Sequence, residues 1–555
     1  MVRATFSGFN TALSALQANQ KRLDITGQNL SNMNTAGYTR QQLEASSLNY
    51  TNPVSHYSNG NETAVGFGVS MDRVSQIRDP YLDIQYRSQS ADCSYTNRLQ
   101  TALNSLSKVL DETTISGIRQ AFDDIQSTLT SMQDPAKVSD PIYESELRTK
   151  MQSVCNLFNQ ASRQITQAEQ NEFQRLTGEG SSEQGDVQKI NDILRQIGDL
   201  NVQIKRNQVA GHPSLELQDE RNLLLDELSG YIPVETRYYK DDAHSGNNAY
   251  DYDANGAVIG KKDWPDDLEV SMNYIDAQGK SQKLILVNGS DLGADGLTKN
   301  YGQLSVLNRD HQPAASVSDP ANISIRFEKA PSYKGNGQAA TDVYAELKGI
   351  HFEGGSLQAS LDMLQKKGTG NVINGSVDDV RGYQYYSEKL DQLADTFAKS
   401  MNASNNGNNH KDQNLLSNST DDSTNNITAG NIGISKGWTN GTIHISTDGT
   451  NRTDTILDMI AAMKDTKKLN GKTFADYMNN LSTQLASDSS SNQTALKTGT
   501  TVLNSIQDSR DSLSGVSLDE EATNMMAYVS AYNAASRLMT ALDEVLNTLI
   551  SNTGA

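Results

Sequence analysis

The chain has 555 residues, 36% of them hydrophobic, and a formal net charge of −20. It is too long for one core and, at roughly 100 to 200 residues per domain, is expected to divide into several units. The acidic balance leaves no basic patch and argues against nucleic-acid binding or anionic membranes, so protein partners are favoured. No run approaches the ~20 apolar residues that span a bilayer, so membrane insertion is not expected. We also expect no general secretory leader in residues 1–30.

The N-terminal segment predicts an amphipathic helix whose stripe faces a partner helix. Its residues alternate in steps of three and four. They are Phe6, Phe9, Leu13, Leu16, Gln20, Leu23, Gly27 and Leu30. An Asn, Thr and Gly cluster follows, and the turn-rich stretch through Gly68, with two short β-like runs, is interpreted as an extended linker.

A long helical region follows, with apolar residues at helical spacing over 99–132, 142–173 and 187–204. Pro135 and Pro141 mark a corner between the first two segments. A leucine-rich helix is predicted from Pro213 to Ser229, because Gly230 and the later Pro233 are typical of a helix end.

Residues 233–353 read as β-rich, since apolar residues alternate at Leu268–Tyr274 and around Ile325, and a short apolar run lies at 284–287. Helical spacing returns at 383–401. The polar tract 402–426 lacks apolar anchors and is predicted to be a mobile loop, and a strand-like piece follows at 432–445.

The C-terminal segment carries a longer heptad stripe, which begins after the turn at Ser514 and Gly515. Helical spacing precedes it at 456–463 and 474–485, and the last helix is expected to begin before Leu496. The stripe comprises Leu518, Met525, Tyr528, Tyr532, Ala535, Met539, Leu542, Leu546 and Leu549.

The two stripes could be core faces of one closed bundle or surfaces that pair the chain's ends. Residues 1–40 carry a net charge of +3 and residues 511–555 carry −5, so the ends attract each other. Exposed ion pairs contribute only ~0.2 to 1 kcal/mol each, so the apolar seam should supply most of the pairing energy. The position of the stripes at both extremes favours a part that polymerises through its termini.

Catalytic and metal chemistry is weakly represented. The seven histidines lack zinc-ligand spacing, and the acids at 519–521 are explained by a helix N-terminus. Residues 251–256 resemble half of a calcium loop, but Lys262 stands where a glutamate is required, so a hairpin turn is favoured. Cys93 and Cys155 are interpreted as two buried thiols rather than a disulfide. No catalytic, cofactor or metal site is expected, and the chain is predicted not to be an enzyme.

Two motifs adjoin the terminal stripes. One comprises Ala18, Asn19, Leu23, Asp24, Asn29, Leu30, Ser31, Asn32, Asn34, Thr35, Gly37, Tyr38 and Arg40. The other is the run 514–521 followed by Tyr528, Ala531, Tyr532, Asp543, Leu546 and Leu549. Both resemble the end motifs of the bacterial flagellar rod, hook and hook-associated axial proteins. The segment 217–228, after its long helical region, is most similar to the hook-filament junction members of that family.

This resemblance implies a mainly α fold with a β-rich insert. Residues 1–50 and 511–555 would form a terminal coiled coil that drives polymerisation. Residues 51–232 and 354–510 would form a helical bundle built from both halves of the chain, and residues 233–353 an outer β domain. The assembly residues would be the C-terminal stripe above and, at the N-terminus, Phe6, Phe9, Leu13, Leu16, Asn19, Leu23, Asn29, Leu30, Asn32, Asn34, Thr35, Gly37 and Tyr38.

The resemblance also implies partners and location. Expected partners are further copies of the chain, hook protein, a second hook-filament junction protein, an export chaperone on the C-terminal segment and the flagellar type III export apparatus. The protein would be secreted and lie extracellularly in the flagellum. The open alternatives are a hook or distal-rod component, or an adhesin or enzyme displayed through the insert.

Overall fold

The protein is mainly α-helical with small antiparallel sheets. The computed structural model describes residues 6–48, 68–110, 112–138, 140–178, 183–240, 250–252, 258–261, 266–275, 280–289, 300–307, 324–328, 344–347, 351–373, 376–407, 411–446 and 453–553. The helices are α1 (Phe6–Asn32), α2 (Pro80–Val109), α3 (Glu112–Ser131), α4 (Pro135–Val138), α5 (Pro141–Thr177), α6 (Asp186–Val209), α7 (Leu215–Tyr231), α8 (Gly355–Gln365), α9 (Tyr383–Asn405), α10 (Lys436–Thr439), α11 (Asp454–Lys464), α12 (Phe474–Ser514) and α13 (Leu518–Thr553).

The strands form small antiparallel sheets. They are β1 (Gln41–Ser47), β2 (Val69–Gln76), β3 (Glu235–Lys240), β4 (Tyr250–Tyr252), β5 (Val258–Lys261), β6 (Asp266–Ile275), β7 (Ser281–Asn288), β8 (Gln303–Leu307), β9 (Ser324–Glu328), β10 (Tyr344–Leu347), β11 (His351–Phe352), β12 (Val372–Ile373), β13 (Ser376–Val377), β14 (Leu416–Asn418) and β15 (Ile432–Ile434). β6 is central in the largest sheet, with β7 on one edge and β3 and β11 on the other.

Side-chain caps begin the long helices. Asp79 and Asp140 accept hydrogen bonds from the second backbone N–H of α2 and α5, and a proline stands at the first position of both helices. The Thr473 side chain caps α12 by accepting a hydrogen bond from the third backbone N–H of that helix, Asp476 N. Proline suits this place because its missing N–H would have had no helical partner. Pro135 begins α4 and Pro141 begins α5, so the corner predicted at these two prolines is confirmed.

The helical body has one core to which both halves of the chain contribute. Phe122 and Phe158 come from the first half, and Phe397 and Phe474 from the second. Phe122 lies 5.2 to 6.0 Å, centroid to centroid, from the other three rings. All four side chains are buried, so α3, α5, α9 and α12 are held together by edge-on and tilted aromatic contacts.

The β-rich insert shares this core. The alternating residues Leu268, Val270 and Met272 of β6 are buried in the same apolar cluster as α6 and α7, as are Leu284 and Leu286 of β7. The predicted strands at 268–274 and 284–287 are confirmed, and β9 covers 324–328 of the third predicted run. β4 and β5 pair as the favoured hairpin, whose turn lies outside the described residues.

Asparagine side chains attach the insert to α6. Asn201 Nδ2 donates to the carbonyls of Leu268 and Gly289, both at 3.0 Å, and Asn300 Nδ2 donates to Gly198 O at 3.0 Å. A Cβ on Gly198 would lie 2.6 Å from Asn300 Oδ1, so glycine is needed for this close approach.

The prediction of a mobile loop at 402–426 is wrong for the described part of that tract, which excludes 408–410. Asn402 and Asn405 lie in the last turn of α9, and their side chains bind the segment that follows the helix. Asn402 Oδ1 accepts from the N–H groups of Leu415 and Leu416, and its Nδ2 donates to Leu416 O. Leu415 and Leu416 are fully buried. A polar composition suggested disorder, but these side chains supply the backbone partners that order the segment.

Other differences from the sequence expectations are local. The expected linker through Gly68 contains β1, which pairs with β2 directly after it, and both strands pack on α1. The strand-like piece at 432–445 is strand only at Ile432–Ile434, and α10 follows it. The region from 474 through 513 is one helix, α12, and α8 was not predicted. Cys155 is buried as expected, whereas Cys93 is half-buried, and both thiols are free.

Candidate functional site

The two terminal helices, α1 and α13, pack against each other and are called here the terminal pair. A Cβ on Gly8 would lie 3.3 Å from Leu542 Cδ1, and the guanidinium of Arg22 lies 5.7 Å from the Tyr528 ring centroid. The second contact is fourteen residues later along α1 and fourteen residues earlier along α13. The helices therefore run antiparallel in constant register.

The C-terminal stripe of α13 is partly covered by this pairing. Ala535 is buried, and Met525, Tyr528, Met539, Leu542 and Leu546 are half-buried, whereas Leu518, Tyr532 and Leu549 are exposed in the single chain. The most covered positions keep the three-and-four spacing that the sequence shows. The stripe thus identifies the contact face of α13, and its role in assembly stays a prediction.

The N-terminal stripe is covered less evenly. Phe9, Leu16, Leu23, Gly27 and Leu30 are half-buried, while Gln20 is exposed and Leu13 is 47% exposed. The buried face of α1 instead comprises Ala12, Ala18, Asn19, Ile25, Thr26 and Asn29. α1 contacts the β1–β2 hairpin as well as α13, so its buried surface is wider than one heptad seam. The Phe6 side chain lies outside the described residues.

The motif after α1 builds a turn. Asn29 Nδ2 donates to Gln41 O at 3.0 Å, and Asn29 Oδ1 accepts from Gln41 N at 3.0 Å and from Tyr38 Oη at 2.9 Å. Burial, assisted by nearby carboxylates including that of Asp219, raises the pKa of Tyr38 to about 12, so its hydroxyl stays a donor. Asn29 therefore holds the start of β1 against the last turns of α1.

The remaining motif residues close the same turn. Thr35 N donates to Asn32 O at 2.9 Å, and Tyr38 N donates to Thr35 O at 3.2 Å. Gly37 adopts a φ of +76°, a conformation that favours glycine, and packs over Leu223 of α7. Asn34 is exposed. These residues were predicted as assembly residues, and in the single chain all of them except Asn34 shape the end of α1.

Polar contacts connect the terminal pair to the helical body in a region called here the joint. It comprises Thr39, Arg40, Arg78, Asp83, Arg87, Asp219, Asp226, Arg510, Glu520 and Glu521. Thr39 donates to Asp219 through its N–H at 3.1 Å and its hydroxyl at 2.6 Å. Arg40 N donates to Ser514 O at 2.9 Å, where α12 ends.

Inside the joint, charges of alternating sign form a continuous chain. Arg78 lies between Asp219 (3.7 Å) and Asp83 (2.6 Å). Arg510 lies between Asp83 (3.1 Å) and Asp226 (2.7 Å). Arg87 completes the chain, 2.8 Å from Asp226. Each side chain is at most 17% exposed, and the three positive and three negative charges balance, as buried charges require.

The pKa of Asp219 is raised by burial, an effect that its hydrogen bonds from Thr39 and the charge of Arg78 oppose. Beside this series of alternating charges lies an open cavity of about 810 Å³, lined by Tyr38, Arg40, Tyr86, Leu223 and Arg510 among others. The joint is thus a polar, partly solvated contact.

Sequence reasoning identified Arg40 and the segment around Asp219 only as parts of motifs, and it missed Arg78, Asp83, Arg87 and Arg510.

Among the described residues, no three His, Cys, Asp or Glu side chains are placed to hold a metal ion. Within the same part of the chain, none of the helices has the length and apolar character needed to cross a membrane.

Three family models match the chain. The flagellar hook-associated protein FlgK helical domain matches residues 103–418. The flagella basal body rod protein model matches residues 9–39, and the flagellar basal body rod FlgEFG protein C-terminal model matches residues 509–552. The two shorter models cover most of α1 and α13 and the end of α12.

Curated relatives and a solved structure extend the comparison. Flagellar hook-associated protein 1 of Bacillus subtilis is 28% identical over 568 residues, covering 99% of both chains. The protein of that name from Salmonella typhimurium is 29% identical over 230 residues, 41% of this chain and 38% of that one. The flagellar hook junction protein FlgK from Burkholderia pseudomallei is 20% identical, with a TM-score of 0.37, over 61% of this chain and 45% of that one.

Proposed function

The chain belongs to the FlgK family of flagellar hook-associated proteins, and we propose that it assembles at the hook-filament junction through its terminal pair. It is a structural protein of the bacterial flagellum. The observation that carries the proposal is the antiparallel packing of α1 on α13, which leaves a second regular stripe on α13 uncovered.

The second stripe comprises Ala527, Ala531, Ala534, Leu538, Ala541 and Val545. Each member is exposed and stands one residue before a member of the C-terminal stripe described above. The two stripes therefore lie about 100° apart around the helix. Four of the six residues are alanines, and their small side chains let another helix approach closely. Since α1 covers only the first stripe, the second is available to a neighbouring copy.

The neighbours in a tubular assembly must meet through two different surfaces of each chain. On this proposal the second stripe of one chain packs against the terminal pair of the next, while hook protein and a second junction protein bind the two ends of the ring. Residues 1–50 with 511–555 would form the polymerising unit, and residues 51–232 with 354–510 the helical body. The segment 233–353 would lie outermost, although β6 and β7 share the body's core.

Export by the flagellar type III apparatus and a chaperone that covers α13 complete the proposal. In the single chain Met526, Val545 and Ile550 of α13 are all more than half exposed. Contiguous exposed apolar surface promotes aggregation, so a free chain needs protection until it reaches a neighbour.

Substitutions in α13 test the two stripes separately. Leu542→Asp or Leu546→Asp places a charge against α1 and should separate the terminal pair, leave the body folded and abolish assembly. Leu538→Asp should keep the terminal pair and still block assembly. Asn533→Asp, on the opposite side of the helix, is the matched control and should assemble normally.

The measurement is electron microscopy of cells that carry each variant, with an assay for filament protein in the medium. Hooks without filaments, and filament subunits released into the medium, are expected for the Leu variants and for deletion of the gene. Normal flagella with Leu542→Asp would refute the proposed function. Normal flagella with Leu538→Asp would refute only the use of the second stripe.

A further inference from the structure

The leucine-rich segment 217–228 lies in α7, where its side chains meet the N-terminal segment directly. We propose that α7 is the docking element that fixes where the N-terminal segment joins the helical body of the same chain, and that Asp219 is its main positioning residue. Residues 37–41, which follow α1, are called here the docking turn. The inference rests on the proposed function, because copies in a tube must present their terminal helices from the same place on the body.

Asp219 binds Thr39, the central residue of the docking turn. Asp219 Oδ2 accepts from Thr39 N at 3.1 Å, and Oδ1 accepts from the Thr39 hydroxyl at 2.6 Å. Both residues are buried, and Arg78 Nη1 lies 3.7 Å from Asp219 Oδ1, where it balances the carboxylate. A carboxylate that binds the N–H and the hydroxyl of one residue fixes both its backbone and its side chain.

Two other residues extend this docking face of α7. Glu216 Oε1 accepts from Gln41 Nε2 at 3.4 Å. A Cβ on Gly37 would lie 3.5 Å from Leu223 Cβ, so the leucine packs against the glycine. Residues 216, 219 and 223 stand three and four positions apart and therefore share one face of the helix. Each contact joins the docking turn directly to the body and involves neither α1 nor α13, so the docking face does not depend on the terminal pair.

The opposite side of α7 is anchored in the body. Arg221 follows Asp219 by two residues and therefore points about 200° away around the helix. Arg221 Nη1 donates to Asn201 Oδ1 at 2.8 Å, and both residues are buried. Asn201 Nδ2 in turn donates to the carbonyls of Leu268 and Gly289 in the insert. The docking face thus belongs to a helix that other parts of the body hold in place, which is the support that a precise contact needs.

Asn29 connects the docking turn to α1. Its side chain binds the Tyr38 hydroxyl and both backbone groups of Gln41, the residues on either side of Thr39 and Arg40. When α1 is formed, its last turns are therefore tied to a turn that α7 holds. The place from which α1 leaves the body is thus set by α7.

The test is a cross-link in assembled flagella. The full-length chain carries Cys93→Ser, Thr39→Cys and Asp219→Cys. Purified flagella are treated with a one-carbon bis-methanethiosulfonate reagent, and a non-reducing gel is probed with an antibody to the chain. The expected product is a band of single-chain size that migrates faster than the reduced form, because the cross-link closes a loop between residues 180 positions apart.

Glu227→Cys in place of Asp219→Cys is the matched control. Glu227 is an exposed residue of the same helix. It stands eight residues after Asp219, about 12 Å further along α7, and should give no cross-link with Thr39→Cys. No cross-link with Asp219→Cys, or bands of two-chain size only, would overturn the inference. Absence of the unmodified chain from purified flagella would instead refute the proposed function.

If the cysteine pair does not assemble, hydroxyl variants decide. Thr39→Ser keeps both groups that bind Asp219 and should give as many filaments per cell as the wild type. Thr39→Val removes the hydroxyl and should give several-fold fewer. Asp219→Ala should lose at least as many filaments, and adding Thr39→Val to it should cause no further loss. In Asp219→Ala, Arg78 keeps Asp83 at 2.6 Å, so its buried charge stays paired. Equal filament numbers for the serine and valine variants, or a further loss in the double variant, would overturn the inference.

Discussion

Arg40 Nε lies 2.8 Å from Glu521 Oε1, although the two residues are 481 positions apart. The same guanidinium reaches Glu520 at 2.7 Å through Nη1. The Glu521 side chain is 3% exposed and that of Glu520 is 61% exposed. Two adjacent carboxylates thus share one partner in different surroundings and form a matched pair for experiment.

We expect Glu521→Gln to weaken the start of α13 by about 1 to 3 kcal/mol, because a charged, desolvated hydrogen bond is lost. Glu520→Gln should cost less than about 1 kcal/mol, as solvent screens an exposed pair. Hydrogen exchange of α13 measured by mass spectrometry checks this. Equal protection in both variants would contradict it.

Asn402→Ala should destabilise the body by about 2 to 4 kcal/mol, since the buried N–H groups of Leu415 and Leu416 and the carbonyl of Leu416 lose their partner. Urea unfolding followed by circular dichroism gives the free energy of unfolding. Lys399→Ala on the same helix, 64% exposed, is the control and should change it by under about 0.5 kcal/mol. A similar small change for both would show that Asn402 does not order the segment.

Asp378 gives a prediction about how the stability of the fold changes at acidic pH. Burial raises its pKa, but four hydrogen bonds, from the hydroxyl and N–H of Thr369 and the N–H groups of Lys367 and Gly368, outweigh burial and lower the pKa overall. The charged form is therefore favoured in the folded state. Its stabilisation is present above the ordinary carboxyl pKa and is lost as pH falls through the lower folded pKa.

Asp378→Asn should accordingly lower the free energy of unfolding at neutral pH by about 1 to 3 kcal/mol, and its difference from the wild type should shrink below about pH 4. Urea unfolding across that pH range is the measurement. Asp379→Asn, whose side chain is 69% exposed, serves as the control. A difference that stays constant down to pH 2 would exclude the assigned cause.

The two thiols should differ in reactivity. Burial raises the pKa of Cys155 to about 12, so almost no thiolate exists near neutral pH. In a Cys93→Ser variant, Ellman's reagent should label Cys155 only as fast as the body unfolds. Rapid labelling without denaturant would show that α5 is less well packed than described.

Heptad spacing predicted the extents of α1 and α13 and the contact face of α13, because a regular stripe needs only local sequence. It could not predict that Leu13 stays exposed, since the hairpin that competes for α1 comes from later residues. The contacts of the joint could not be predicted from the sequence for a similar reason. Arg510 meets Asp83 and Asp226 only because α2 and α7 bring those carboxylates to it, and no spacing in the sequence encodes that meeting.

The fold-back of the chain sets an order of events in folding. Closing the loop between Arg40 and Glu521 in an unfolded chain is entropically costly, and each doubling of loop length adds about 0.6 kcal/mol. Once α12 has docked on α2, only the β1–β2 segment separates α1 from the folded body. Only residues 515–517 separate α13 from it. The body therefore acts as a template that delivers both ends side by side. We therefore expect the terminal helices to pair last, from the joint outward, so that a slow-folding body would delay them without any defect in their own sequences.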